Sequence, residues 1–217
     1  MKTIYRLALL IGLLAAAGCA TVRAGGDLAS GRQALLKGNN EAALGFFQRA
    51  AQEDPNYVYG VPLQQSVWSY VGRSEYLNGQ IPQARQTLER AISGERVISG
   101  QQQEVIARLY LGLTLAREGD RQGGLKEIES GMRGINNFID NMNQNFRFSF
   151  GQYFDTGRDI RGAIQTNLAM ISGKDLDWQQ LTTATEWLGI RMEEESDLAR
   201  RQWIFDQTRD SSGNPSK

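Results

Sequence analysis

The sequence predicts an all-α fold, a stack of about three helical hairpins followed by a C-terminal helical segment. Three observations carry that expectation. Gly38, Gly79 and Gly119 recur at intervals of 41 and 40 residues. Each stands seven residues after another glycine (Gly31, Gly72, Gly112) and is followed at fixed offsets by a small, a large and a small residue: Ala43, Phe47 and Ala50; Ala84, Leu88 and Ala91; Gly124, Ile128 and Gly131. Far downstream, Leu181, Ala184, Leu188, Met192, Ala199 and Trp203 keep helical spacing through one long run. Self-similarity at such a period marks units that bury their apolar faces only by stacking on one another.

The first element is an export signal over residues 1–18. Lys2 and Arg6 precede eleven uninterrupted non-polar residues, Leu7 to Ala17, which is too short for the roughly 20 residues of a membrane-spanning helix. Ala16, Ala17, Gly18 and Cys19 then resemble a bacterial lipobox, with Ala16 where such signals usually carry Leu. The resemblance implies cleavage after Gly18 and acylation of Cys19 by a diacylglycerol and a further fatty acid such as palmitate. Two or more chains anchor stably where one does not. Ala20 at the second mature position, rather than Asp, favours the outer over the inner membrane under the family's sorting rules. Residues 19–27 are expected as a lipidated tether, and Ala20 to Gly26, if flexible, would span only about 15 Å.

Residues 28–134 hold the repeats. Helices are expected at about 28 to 37, 40 to 53, 63 to 78, 81 to 93, 101 to 118 and 121 to 133. The glycine closing each first helix supplies a left-handed cap, and the small residues let paired helices approach closely. Pro62 stands where a proline is best tolerated, just ahead of the third helix.

Taken with Trp68, Val71, Leu111, Leu115 and Pro55, this pattern resembles the tetratricopeptide repeat (TPR) family, whose units are helix-turn-helix hairpins. A TPR-like α-solenoid is therefore the expected architecture. Two departures stand out: the spacing exceeds the family's 34 by roughly six residues, and Glu75 stands where the family has an aromatic. Longer connections are expected at Pro55 to Pro62 and Gly94 to Gly100. Beyond Gly134 the repeat fades into a helical extension, 135–209, with helices at about 135 to 145, 157 to 172 and 178 to 209. Thr156 with Asp159, and Asp177 with Gln180, have capping-box spacing at two of these starts. The last helix is expected to cover the open end of the stack, with Glu193, Glu194 and Glu195 mostly on its wet side. The tail 210–217 lacks apolar residues and is expected to be disordered.

Composition narrows the chemistry. The chain has 24 basic and 24 acidic residues, no histidine and one cysteine. A neutral balance argues against nucleic acid, which demands a basic footprint. Without histidine, and with Cys19 committed to lipid, the usual zinc and copper ligands and the Ser-His and Cys-His pairs are missing. No cofactor or metal is expected, nor an enzyme.

The TPR resemblance implies a concave groove lined by the first helix of each hairpin. Its candidate residues are Arg32, Arg73, Tyr76, Leu109, Leu113 and Arg117, with Arg32 and Arg73 at equivalent positions able to form a cationic ladder for a carboxylate or phosphate. The alternative is two solvated surface arginines. A second candidate is the aromatic patch Phe146, Phe148, Phe150, Tyr153 and Phe154, whose alternation suggests an extended segment that either folds onto the helices or meets a partner. Asp155, Asp159 and Glu186 could in principle form a glycan-cleaving acid/base pair, although helix caps and surface pairs account for them. The expected function is a lipid-anchored envelope scaffold or adaptor on the periplasmic face of the bacterial outer membrane. It would bind envelope proteins through its groove and no nucleic acid. The alternatives are a periplasmic peptide- or glycan-binding lipoprotein and a cryptic glycan-cleaving enzyme.

Overall fold

The computed structural model describes residues 20–60, 62–94, 104–173 and 176–211, and among these the chain is predominantly helical. The expected signal, Cys19, most of the expected Gly94 to Gly100 connection, the side chain of Phe150 and the end of the expected tail lie outside the described residues. The described elements are α1 (20–36), α2 (Asn40–Glu53), a two-stranded ribbon of β1 (Val58–Tyr59) and β2 (Gln65–Ser66), α3 (Val67–Leu77), α4 (Ile81–Ser93), α5 (Val105–Arg117), α6 (Arg121–Asn145), a 3-10 turn at Phe150–Tyr153, α7 (Asp159–Ser172) and α8 (Trp178–Ser211).

Helices α1 to α6 form three consecutive hairpins that repeat one contact. A methyl group on Gly31 would stand 2.5 Å from the Phe47 ring, one on Gly72 2.6 Å from Leu88, and one on Gly112 2.6 Å from Ile128. The first helix of each hairpin thus gives up its side chain so that one large residue of the second can lie against bare backbone. The turns repeat as well. Gly38, Gly79 and Gly119 all take the left-handed conformation, φ 75°, 75° and 98°, which closes the first helix at little cost only for glycine. Asn39 and Asp120 then cap the next helix, accepting from the N–H groups of Ala42 at 3.1 Å and Gly123 at 2.8 Å.

Four differences from the sequence expectation have physical causes. The expected tether is helix: α1 runs from residue 20, because Ala24 and Leu28 are buried against α2 and Arg23 and Asp27 pair with Glu53 and Arg49. Gly25 is tolerated in that helix because the Tyr57 hydroxyl fills the place its side chain would take. Residues 63–66 are not helical. The added residues between the first two hairpins instead form the β1–β2 ribbon, pairing Val58 with Ser66 and Tyr59 with Gln65, and Ser66 caps α3. Helix α6 does not break at Gly134, because a methyl there would meet Val105 at 2.5 Å: that glycine serves close packing on α5.

The fourth difference is the aromatic segment, which folds into turns and a 3-10 helix rather than an extended strand. Its end caps α7 through Asp155, not Thr156. The Asp155 carboxylate accepts from the Ile160 N–H at 2.9 Å and the Arg161 Nε at 2.7 Å. The cap expected at α8 is present, with Asp177 accepting from the Gln180 N–H at 3.0 Å.

Glu75 explains its own irregularity. On α3 it packs 7% exposed, with one carboxylate oxygen unpaired, where the family pattern calls for an aromatic. Burial raises its pKa above the ordinary carboxylate range, partly offset by a hydrogen bond with Thr87. A carboxyl that holds its proton more tightly when folded contributes stability at low pH and loses it as pH rises through the raised value. Glu75→Gln should therefore raise the unfolding free energy at pH 8 by on the order of 1 kcal/mol, with the gain closing towards pH 4. Urea titrations of both proteins across that range check it, and a pH-independent difference would rule it out.

Candidate functional site

The sequence stripe on α8 lands on the inner face of the hairpins. Leu181, Leu188, Met192 and Ala199 are fully buried there. The direction follows from three contacts: Tyr76, late in α3, donates to Glu186 at 2.7 Å; Arg73 donates to Glu193 at 3.3 Å; and Gln65, just before α3, donates to Glu193 at 2.8 Å. Helix α8 thus lies antiparallel to α3, along the hairpins rather than over the end of the stack.

Glu193 is the hub of this contact. Its Oε2 accepts from Arg32 Nε at 2.8 Å and from Tyr70 at 3.5 Å, and its Oε1 from Gln65 and Arg73. Arg32 also reaches Asp197 at 3.1 Å and donates to the Tyr59 hydroxyl at 3.0 Å. Arg73 packs its guanidinium 5.0 Å from the centre of the Tyr110 ring. Arg32, Arg73 and Glu193 are 6%, 0% and 3% exposed, so the two arginines are not solvated surface groups. Burial, the largest single influence, would favour neutral Arg32, but Glu193, Tyr70, Tyr59 and Asp197 together outweigh it and hold the guanidinium above its ordinary pKa. Burial, followed by the Glu193 charge, drives the Tyr70 phenol well up.

Seven residues earlier on α8, about two turns, Glu186 repeats the arrangement more openly. It accepts from Tyr76, whose pKa burial and this bond both raise, and lies 3.8 Å from Arg117, whose guanidinium sits 4.2 Å from the Tyr76 ring centre. Leu109 and Leu113 are fully buried on α5. Arg32, Arg73 and Tyr76 therefore share one surface that α8 covers, with Arg117 exposed at its edge; Leu109 instead turns to α6, where a methyl on Gly131 would meet it at 2.7 Å.

Several participants escaped the sequence: Glu193 and Asp197 on α8, Tyr70 on α3, Tyr110 on α5 and, from the inter-hairpin ribbon, Tyr59 and Gln65. The signal for Glu193 was present, since Glu186, Glu193 and Asp197 are seven and four residues apart and so share a helix face. Glu193 and Glu195 are buried, at 3% and 2% exposed, and only Glu194 faces water. Glu195 pairs with Arg191 at 2.6 Å and accepts from the Asp155 N–H.

The aromatic patch is divided. Phe154 is buried edge-on against Phe138, with ring centres 5.4 Å apart, and Tyr153 donates to Asp206 on α8. Phe146 and Phe148 are exposed, the latter under the Arg147 guanidinium. The acidic candidates have separate tasks: Asp155 caps α7, Glu186 pairs with Tyr76 and Arg117, and Asp159 is exposed in the first turn of α7.

The arrangement defines a class of protein: three helical hairpins whose inner surface receives an acidic helix, supplied by the same chain. No protein-family model, no curated protein and no solved structure matches this chain. No helix among the described residues is long and apolar enough to cross a membrane.

Proposed function

We propose that the protein is a lipid-anchored adaptor of the bacterial envelope, a TPR-like scaffold held through Cys19 to the periplasmic face of the outer membrane, which presents protein-binding surface to an envelope complex. The observation that supports it best is the threefold glycine-to-large-residue contact, which builds a repeat scaffold whose inner face receives a helix through carboxylates. With that face occupied by α8, the surface offered to a partner is the outer face of the same helix. Trp187, Ile190 and Leu198 are 40%, 39% and 46% exposed there.

Photo-crosslinking residues placed singly at Ile190 and Leu198 in the full chain, expressed in its native cell, test the adaptor. The same protein should be captured from both positions and lost from Leu198 when Trp187→Ala and Ile190→Ala are introduced. Equal capture from Glu41, exposed on α2, would overturn it, as would no capture at all. Cys19→Ala should move the protein from the membrane to the soluble fraction.

One observation favours the glycan- or peptide-binding alternative. An open groove of about 630 Å³ beside Trp187 is lined by Ala163, Asp177, Gln180, Thr183 and Ala184, and combines an aromatic face with polar groups.

A further inference from the structure

We propose that the C-terminal tip of α8, centred on Ile204 and Phe205, rests on the anionic bilayer surface to which Cys19 is attached, giving the protein a second membrane contact besides its lipid. The inference depends on the lipoprotein reading for the position of the bilayer and on the helix directions for the position of the tip.

The directions are fixed by contacts. Helix α1 is antiparallel to α2, since Arg23 pairs with Glu53 at 2.7 Å and Asp27 with Arg49 at 3.0 Å. Asn78, at the end of α3, donates to the carbonyl of Asn40, at the start of α2, so α3 runs back against α2 and with α1. Since α8 opposes α3, it opposes α1 too. Arg32 of α1 and Glu193 of α8 lie side by side at 2.7 Å. From that level, twelve residues back along α1 reach Ala20 and twelve forward along α8 reach Phe205, each about 18 Å at 1.5 Å per residue. The tip of α8 and the start of α1 therefore emerge at the same end of the molecule, and Cys19 is the residue next to that start.

That end carries the chemistry of a bilayer interface. Val22, Ile204 and Phe205 are 76%, 48% and 59% exposed. Trp203 precedes them, and Arg200, Arg201 and Arg209 flank them against Asp206 and Asp210, leaving a net charge of +1 over the last turns. Exposed apolar residues bordered by arginine are what a helix needs to seat in the headgroup region of anionic lipid. Acyl chains on Cys19 would hold this end within reach of the surface, so a contact able to engage vesicles on its own gains further from local concentration.

The test separates the tip from the lipid. The mature full-length chain carrying Cys19→Ser has no other cysteine, so an environment-sensitive fluorophore can be placed through Gln207→Cys near the tip or through Lys37→Cys at the opposite end of α1. Vesicles of phosphatidylethanolamine and phosphatidylglycerol should shift the Gln207 label to the blue and leave the Lys37 label unchanged. The shift should be lost with Ile204→Ser and Phe205→Ser at unchanged far-ultraviolet circular dichroism. No shift, an equal response at both positions, or a shift that grows with protein concentration without vesicles, as self-association would give, would each overturn the proposal. Acylation of wild-type Cys19, followed by metabolic labelling with palmitate, reports separately on the lipoprotein reading.

Discussion

Glu193→Ala is expected to destabilise the protein by about 3–5 kcal/mol, the cost of leaving buried charge without its partner. The physical reason lies in the count of donors. Four side chains, Arg32, Gln65, Tyr70 and Arg73, direct hydrogen bonds at one carboxylate that is 3% exposed. Arg32 retains Asp197 when Glu193 is lost, but Arg73 loses its anion altogether. The loss should appear as a fall in urea midpoint with little salt dependence, because buried pairs are poorly screened. The triple variant Arg32→Met, Arg73→Met and Glu193→Leu should sit much closer to wild type than Glu193→Ala does, since replacing a whole buried ionic cluster by apolar groups of similar size is often neutral or better. A single-variant loss below about 1 kcal/mol, the range of an exposed pair, would mean that water reaches the cluster and that α8 covers the hairpins only loosely. Because Glu193 joins α8 to both of the first two hairpins, the same variant should increase proteolysis within α8.

The hairpins were legible in the sequence and the closure was not, for a reason visible in particular residues. A glycine opposite Phe47, Leu88 or Ile128 is a demand made within one hairpin, so it recurs wherever the hairpin recurs and shows up as spacing. The stripe on α8 also shows up as spacing, yet spacing says only that one face is buried, not which surface receives it. Leu181, Leu188 and Met192 would read alike against the end of the stack or against its inner face. What decides between them is the match of Glu193 to Arg32 and Arg73, and of Glu186 to Tyr76, each more than a hundred residues away, a long-range pairing that no local pattern encodes. The start of α1 failed for a related reason. Gly25 and Gly26 look like a flexible joint until Tyr57, brought in by the following connection, occupies the space beside Gly25.

The closed groove also changes what a groove variant measures. Arg32→Ala with Arg73→Ala would uncover Glu193 inside the protein, so loss of a partner in that variant would report unfolding as readily as recognition. Trp187, Ile190 and Leu198 are free of that ambiguity, because trimming an exposed apolar side chain removes little of the folded core.

Gly112→Ala is expected to cost about 1–3 kcal/mol, the range for forcing an extra carbon into a packed core. Unlike its counterparts, it should resist rescue by trimming its large neighbour. At Gly31 the three atoms nearest the added methyl all belong to the Phe47 ring, at 2.5 to 3.0 Å, so Phe47→Leu should recover part of the loss in the double variant. At Gly112 the obstacles are the backbone oxygen of Gly124 at 2.6 Å and the backbone nitrogen of Ile128 at 2.8 Å, besides the Ile128 side chain. Ile128→Val removes a methyl but cannot move that backbone, so the double variant should be no more stable than Gly112→Ala alone. Gly162, inside α7 with nothing within 4 Å of an added methyl, is the control: Gly162→Ala should stabilise by roughly 0.5–1 kcal/mol through helix propensity. Denaturant midpoints for the five substitutions (Gly31→Ala, Phe47→Leu, Gly112→Ala, Ile128→Val and Gly162→Ala) and the two pairs decide the matter. Rescue at Gly112 equal to that at Gly31 would show that α5 and α6 can separate to admit a side chain. Absence of rescue would show that α5 and α6 meet backbone to backbone, which is why glycine stands at both Gly112 and Gly124 where the first two hairpins use glycine and alanine.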